Sequence, residues 1–303
     1  AFHIRTSKIL TDVNSKYVNP SLVNPITSLN INPGYQPADG KNECYAVVVG
    51  ISIYISSSIS NLNYADDDAW AWVAYLAELG YHVDILENGR ATLDNISNEL
   101  EWLLEQEDAD DYVVFVFSGH GTTVNGESAI VTTDGYAITA SALAEVFSKA
   151  DSHHIFCFFD ACVIGDMKKI AEVKDGVYVV MAADSEHLSY ERKTIYYKDE
   201  KGEIHSENCE HGVFTFLFLE KELKEHGFKE LELAYTFSVD LLDKYGFIQN
   251  HAFHPWSELM NPTQADSYLP YYHEYMSLDV TYTGGAGGAT TPLPPPFPVI
   301  TPM

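Results

Sequence analysis

Ile155-Phe156-Cys157-Phe158-Phe159-Asp160-Ala161-Cys162 is an apolar run that ends abruptly in an acid and a thiol. Five successive apolar residues suit a strand buried on both faces of a parallel sheet, and such strands release functional side chains at their carboxyl ends. Side chains two apart share a face, so a strand extending far enough turns Asp160 and Cys162 the same way.

The flanking sequence repeats this pattern. Tyr45-Ala46-Val47-Val48-Val49-Gly50-Ile51 reads as a first buried strand and Tyr81–Leu86 as a second. The third, Asp111 to Phe117, delivers Ser118-Gly119-His120-Gly121 at its carboxyl end, and Val177–Met181 makes a fifth after the opening stretch. Helical signals lie between them. Asp66-Asp67-Asp68 opens one helix favourably against the macrodipole and Gly80 stops it, while Thr92 caps another with Leu93, Ile96, Leu100 and Leu103 on one stripe. Ser141 to Lys149, Phe214 to His226 and Leu231 to Tyr245 are also helical, with a hairpin or loop over Thr122–Gly135. Val163–Gly176 reads as an exposed connection and Glu186–Glu210 as a long surface loop. Alternation of strands and helices implies βαβ units, an α/β fold with a mostly parallel central sheet of about six strands.

The 303 residues carry 46% hydrophobic side chains, enough for a core, and 17 basic against 44 acidic residues give a formal charge of -27, which excludes a polyanion such as nucleic acid as a natural ligand. No run of about twenty apolar residues spans a membrane. Four scattered cysteines form no zinc signature; Cys157 reads as a buried thiol, and a Cys44–Cys209 disulfide rests on counting alone. Asn19-Pro20, Asn24-Pro25 and Asn32-Pro33 mark residues 1–42 as an irregular arm or pro-segment, 43–272 as the globular domain, and the Gly/Thr/Pro-rich 273–303 as a linker or tail. Ala1 in place of Met, the acidity and this tail favour an extracytoplasmic setting over a cytoplasmic one.

Adjacent parallel strands place their ends at one edge, where open α/β sheets bind ligands. One end offers His120 and the other Cys162. A free thiol is mostly protonated at neutral pH, so a nearby imidazole activates it and can then protonate a leaving amine. Gly119 and Gly121 allow close backbone approach and N–H donation to an oxyanion. A metal site lacks a second ligand at normal spacing beside either residue, and His251/His254, although His-x-x-His, run straight into Pro255.

The chain resembles the caspase-like cysteine peptidases, closest to metacaspases and related prokaryotic proteins, over about residues 42–270. The resemblance rests on Tyr45–Ile51, Leu62–Ala69, Phe117–Thr122 and Phe159–Cys162, with weaker matches at Ala182–Asp184 and Gly212–Thr215. It implies a caspase-like αβα sandwich, a His120/Cys162 dyad, and an oxyanion hole from the N–H groups of Gly121 and Cys162. The matching positions for the pocket that holds the residue before the cut bond (S1) are Asp68, Ser118 and Asp160. Two carboxylates facing one cation select Arg or Lys, so the substrates it implies are peptides or proteins cut after those residues. Asp160 has a second reading, as the carboxylate that orients His120. Lys168, Lys169, Lys174, Arg192, Lys193 and Lys198, in the predicted connections, are expected sites of self-processing. No cofactor is required for the chemistry. Calcium is the activator of many metacaspases, and Asp134 and Asp166 fall where a loop would offer oxygen ligands, with several further oxygens needed. The sequence departs from the metacaspase pattern at Val163-Ile164-Gly165 and Tyr64-Ala65. Two rival readings are a catalytically silent caspase-like binding or adhesion module and a clostripain- or legumain-like peptidase of different specificity.

Overall fold

A computed structural model of the chain describes residues 14–199 and 201–246. The central sheet has five strands, all parallel: β3 (Cys44–Gly50), β4 (His82–Glu87), β5 (Tyr112–Ser118), β9 (His154–Asp160) and β10 (Val177–Met181), in the order β10-β9-β5-β3-β4. The continuous apolar runs of β3, β5 and β10 are buried throughout, as expected of strands covered on both faces. One face carries α1 (Ala65–Glu78), whose Trp72 packs on Phe156 and Phe158 of β9; on the other, Phe115 meets Phe159 and Phe147 of α3 (Ala140–Phe147). This two-residue alternation fixes the site. Asp160 shares the parity of Phe156 and Phe158 and therefore turns toward α1.

Register then assembles the edge. Gly50, Ser118 and Asp160 are aligned across β3, β5 and β9 at their carboxyl ends. A side chain at Gly50 would come within 2.5 Å of the Ala65 carbonyl and the Ala69 Cβ, so the bare backbone here lets α1 begin directly above the edge. The helix start is held by Ser52, which exchanges hydrogen bonds with the Asp66 carboxylate and amide. α2 (Leu93–Gln106) is capped by Thr92 as its sequence predicts.

Two smaller sheets flank the edge. β6 (Gly121–Val124), β7 (Glu127–Val131) and β8 (Tyr136–Thr139) join β2 (Asn24–Ile26) in one; β11 (Tyr190–Lys198), β12 (Ile204–Gly212) and the two-residue β1 (Asn14–Ser15) form the other. The latter corrects the surface loop expected at 186–210. Its residues alternate in the hairpin, with Ile195 and Cys209 buried, but abundant charge hides the period. The exposed connection expected at 163–176 is also revised: Gly165–Ile170 is a 3₁₀ helix that buries Gly165, Met167 and Ile170.

After β12 the helical stretch expected at 214–226 runs through α4 (Val213–Thr215), a π-helical turn (Phe216–Leu223) and α5 (Lys224–His226), followed by α6 (Leu231–Gly246). None of the four cysteines is in a disulfide, so the counted Cys44–Cys209 bridge does not form. No helix among the described residues is long and apolar enough to cross a membrane. Residues 1–13, His251, His254, the domain end near 272 and the 273–303 tail lie outside the described residues.

Candidate active site

β5 and β9 end side by side, and the turns that follow them touch. A Cβ on Gly121 would overlap the Cys162 carbonyl oxygen, so only glycine lets the histidine-bearing and cysteine-bearing turns approach this closely. β9 stops at Asp160, and Cys162 is therefore set by the turn rather than by strand parity. Its Sγ lies 3.2 Å from both the carbonyl oxygen and the amide nitrogen of Ser189. Val163, next along, holds φ at +48°, a costly conformation for a β-branched residue, and is fixed there by its N–H on the His187 carbonyl and its own carbonyl on Ser128.

His120 is oriented by the Ser-rich loop after β3. Its Nε2 lies 2.8 Å from the Ser60 carbonyl, its backbone N–H donates to the Tyr54 hydroxyl at 2.8 Å, and the Tyr54 and His120 rings are 4.9 Å apart. A carbonyl only accepts, so Nε2 carries a proton, and burial lowers the imidazole pKa against the Ser60 and Lys16 backbone that raise it. The neutral ring then has its lone pair on Nδ1, which is buried without a hydrogen-bond partner among the described residues. Such an atom is suited to receive a proton. Tyr54 and Ser60 were not legible from the sequence, since nothing in a Ser-rich loop announces contact with a histidine sixty residues away. Tyr54→Phe removes one hydrogen bond and leaves the His120 N–H unpaired, at about 1–3 kcal/mol. We expect kcat to fall roughly tenfold with KM little changed, measured by steady-state peptide hydrolysis.

Asp68, Ser118 and Asp160 converge, and a cation already lies among them. The Nζ of Lys16 is 3.2 Å from Asp68 Oδ2, 3.0 Å from Asp160 Oδ1 and 2.9 Å from Ser118 Oγ, and it is wholly buried. Ser118 also donates to Asp68 at 2.6 Å. Burial lowers the Lys16 pKa, but Asp160, Asp68 and Glu191 outweigh it and hold the ammonium above its ordinary value. Burial likewise raises the Asp68 carboxyl, and Lys16 and His211 overcome it to leave that carboxyl below its usual range.

Further contributors come from elements read as loop or helix. Asp160 accepts from Ser189 Oγ at 2.6 Å and from the Thr215 hydroxyl at 2.7 Å, and Asp68 accepts from the Gly212 N–H at 2.9 Å and faces His211 Nδ1 at 3.0 Å. Burial lowers His211, but the Asp68 hydrogen bond and charge leave its pKa raised. The Asp160 oxygens meet Lys16, Ser189 and Thr215, whereas His120 Nε2 meets the Ser60 carbonyl.

The remaining candidate residues stand apart. Asp134 accepts from Leu93 N–H and Thr132, and Asp166 from Ser128, so each carboxylate is taken up by protein donors. Neither belongs to a set of three or more convergent His, Cys, Asp or Glu atoms; among the described residues that set is Asp199 and Glu203 of the β11–β12 turn with His205 at the start of β12. Of the predicted processing residues, Lys168 and Lys169 lie in the 3₁₀ helix and Arg192, Lys193 and Lys198 in β11.

A family model described as the caspase domain matches residues 43–238. Among solved structures, the chain is similar to the crystal structure of protein GSU0716 from Geobacter sulfurreducens, with 14% identity and a TM-score of 0.51, covering 66% of this chain and 89% of that one. At this identity the likeness concerns the fold. No curated protein matches the chain.

Proposed function

The chain belongs to the caspase-domain family of cysteine peptidases, which act on peptides or proteins, and from that premise we propose that it is an endopeptidase cleaving after lysine or arginine through a His120/Cys162 dyad. The observation that carries the specificity is the seating of the Lys16 ammonium between Asp68 and Asp160. Two buried carboxylates beside one another repel unless a cation enters, and His211 is placed to balance only Asp68. Asp160 is therefore the charge matched by the incoming side chain.

In this scheme the Cys162 thiol passes its proton to His120 Nδ1 and attacks the carbonyl carbon of the basic residue. Gly121 N–H receives the oxyanion, with Cys162 N–H as the second donor. The imidazolium then protonates the leaving amine, and a water molecule resolves the thioester. Ser60 keeps the ring in the required tautomer throughout.

Gly212 gives this reading a sharp test. A Cβ there would overlap Asp160 Oδ2 and approach the Lys16 Nζ to 2.5 Å and Asp68 Oδ2 to 2.7 Å. Its backbone, at φ −54° and ψ 131°, suits alanine, so the substitution fills the pocket without straining the chain. Gly212→Ala is expected to lower kcat/KM for lysyl peptides by on the order of 100-fold, the loss arising from expulsion of a paired cation, and to lower the melting temperature of the full-length protein because the buried Lys16 pairs are disturbed as well. Profiling a peptide library with full-length protein, with calcium and with chelator and with Cys162→Ala as control, tests the whole reading. Cleavage confined to bonds after Lys and Arg is expected; cleavage after other residues, or none, contradicts it.

A further inference from the structure

The backbone on both sides of Lys16 lies in the site in an ordered register. Asn14 and Ser15 pair antiparallel with Glu191 and Tyr190, so the arm extends the β11–β12 hairpin as an added strand. Lys16 N–H donates to the Ser189 carbonyl at 3.1 Å, and the Lys16 carbonyl accepts from Gly121 N–H at 2.7 Å. Beyond it, Val18 N–H donates to the Gly121 carbonyl at 3.0 Å and the Val18 carbonyl accepts from Thr122 Oγ1 at 2.7 Å. The peptide bond from Lys16 to Tyr17 is thus gripped on either side, its carbonyl oxygen on a glycine amide and its basic side chain in the acid-lined pocket.

We infer that Lys16–Tyr17 is the chain's own first cleavage site, and that the arm holds the peptidase closed until this bond is cut. The inference rests on the peptidase reading above and deepens it. A cation in the pocket and a carbonyl on an N–H donor are the two requirements that reading places on a substrate, and one segment meets both while pairing antiparallel with a sheet edge. His120 and Cys162 are wholly buried while the arm is in place, so a second peptide has no entry.

The chemistry balances within the chain and water. Cys162 Sγ bonds to the Lys16 carbonyl carbon as its proton moves to His120 Nδ1, and the oxyanion rests on Gly121 N–H. The Lys16–Tyr17 C–N bond breaks as His120 returns the proton to the Tyr17 nitrogen, leaving a thioester. Water adds to that carbon, gives a proton to His120 and releases the Lys16 carboxylate, and the thiol is restored. Among the described residues, the segment ending at Lys16 is then held by β1 and the pocket, whereas Tyr17 onward stays anchored through β2 and its parallel pairing with β8 (Tyr136–Thr139). Departure of the Lys16 segment uncovers Asp68, Asp160 and the β11 edge for another strand. The basic residues of the 3₁₀ helix and of β11 are held in regular structure away from this alignment, and Lys174, in the turn before β10, donates its ammonium to the Ala150 carbonyl, so the first cut falls in the arm.

The test uses full-length wild type, Cys162→Ala, Lys16→Gln and Lys16→Arg, with intact mass and N-terminal sequence followed over time. Wild type and Lys16→Arg are expected to yield a chain beginning at Tyr17, while Cys162→Ala and Lys16→Gln keep the bond. The arginine variant guards against a loss due only to misfolding. A wild type that hydrolyses an external lysyl peptide in a Cys162-dependent way, yet keeps its 16–17 bond or is cut first elsewhere, overturns this inference and leaves the peptidase reading standing. Cutting at Tyr17 in Cys162→Ala also overturns it. A wild type inert toward itself, the lysyl peptide and a lysyl electrophile overturns the peptidase reading, and the inference with it.

Discussion

Full-length protein carrying Cys162→Ala is expected to hydrolyse a lysyl peptide on the order of 10⁴-fold more slowly than wild type, with its melting temperature nearly unchanged. The substitution removes the sulfur that meets the Ser189 N–H and carbonyl, and leaves the turn's own backbone bond, Val163 N–H on the His187 carbonyl, in place. Any role of the site that depended only on binding would survive it. His120→Ala should cost nearly as much, and the double variant little more, because nucleophile and base act as a unit. Steady-state kinetics on the four proteins measure this; retention of most of the activity by Cys162→Ala would assign the chemistry elsewhere.

Asp160→Asn is the second large effect. The amide still offers one oxygen to Ser189 or Thr215, but it cannot balance a buried ammonium, and an unpaired buried charge costs about 3–5 kcal/mol. The expected loss in kcat/KM for lysyl peptides is on the order of 10²–10³-fold, while the slow hydrolysis of a matched norleucyl peptide stays almost constant. If Asp160 instead supported the imidazole, both peptides would lose alike. The pairing of His120 Nε2 with Ser60 leads us to expect the first pattern.

The parts of this account that were legible in the sequence are those encoded by short-range periodicity. Unbroken apolar runs announced β3, β5, β9 and β10, and their ends announced His120, Ser118 and Asp160, because strand register places neighbouring ends at one level. Asp68 needed the family resemblance, since an acid in the first turn of a helix is ordinarily explained by the helix dipole. The β11–β12 hairpin was hidden because charge on its exposed positions masks a two-residue alternation. With it were hidden Ser189 and His211, which complete the pocket beside Gly212 and Thr215 of the weaker family match. Glu191 belongs to the same group: buried in β11, it accepts from Asn63 and Tyr64 N–H and holds the loop leading into α1, so it sets the height of Asp68 above the sheet.

The docking of Lys16 was invisible for a different reason. No periodicity or motif marks a lysine in an irregular arm, and its partners lie 52, 102 and 144 residues away. Only tertiary proximity makes it more than one of seventeen basic residues. Its position also moves the expected processing site. The sequence points to basic residues in connections, whereas all of these but Lys174 lie in a 3₁₀ helix or in β11, and extended backbone aligned with Gly121 is found in the arm.

The central claim is that Cys162 and the acid-lined pocket form one site in which charge selects the residue before the cut. Its most direct test is to incubate full-length protein with a lysyl peptide electrophile and, separately, with its norleucyl analogue, then map the modified residue by mass. The account predicts stoichiometric labelling of Cys162 by the lysyl reagent and much slower labelling by the neutral one. Equal labelling by both reagents, or a lysyl label on Cys44, Cys157 or Cys209 with Cys162 untouched, would contradict it.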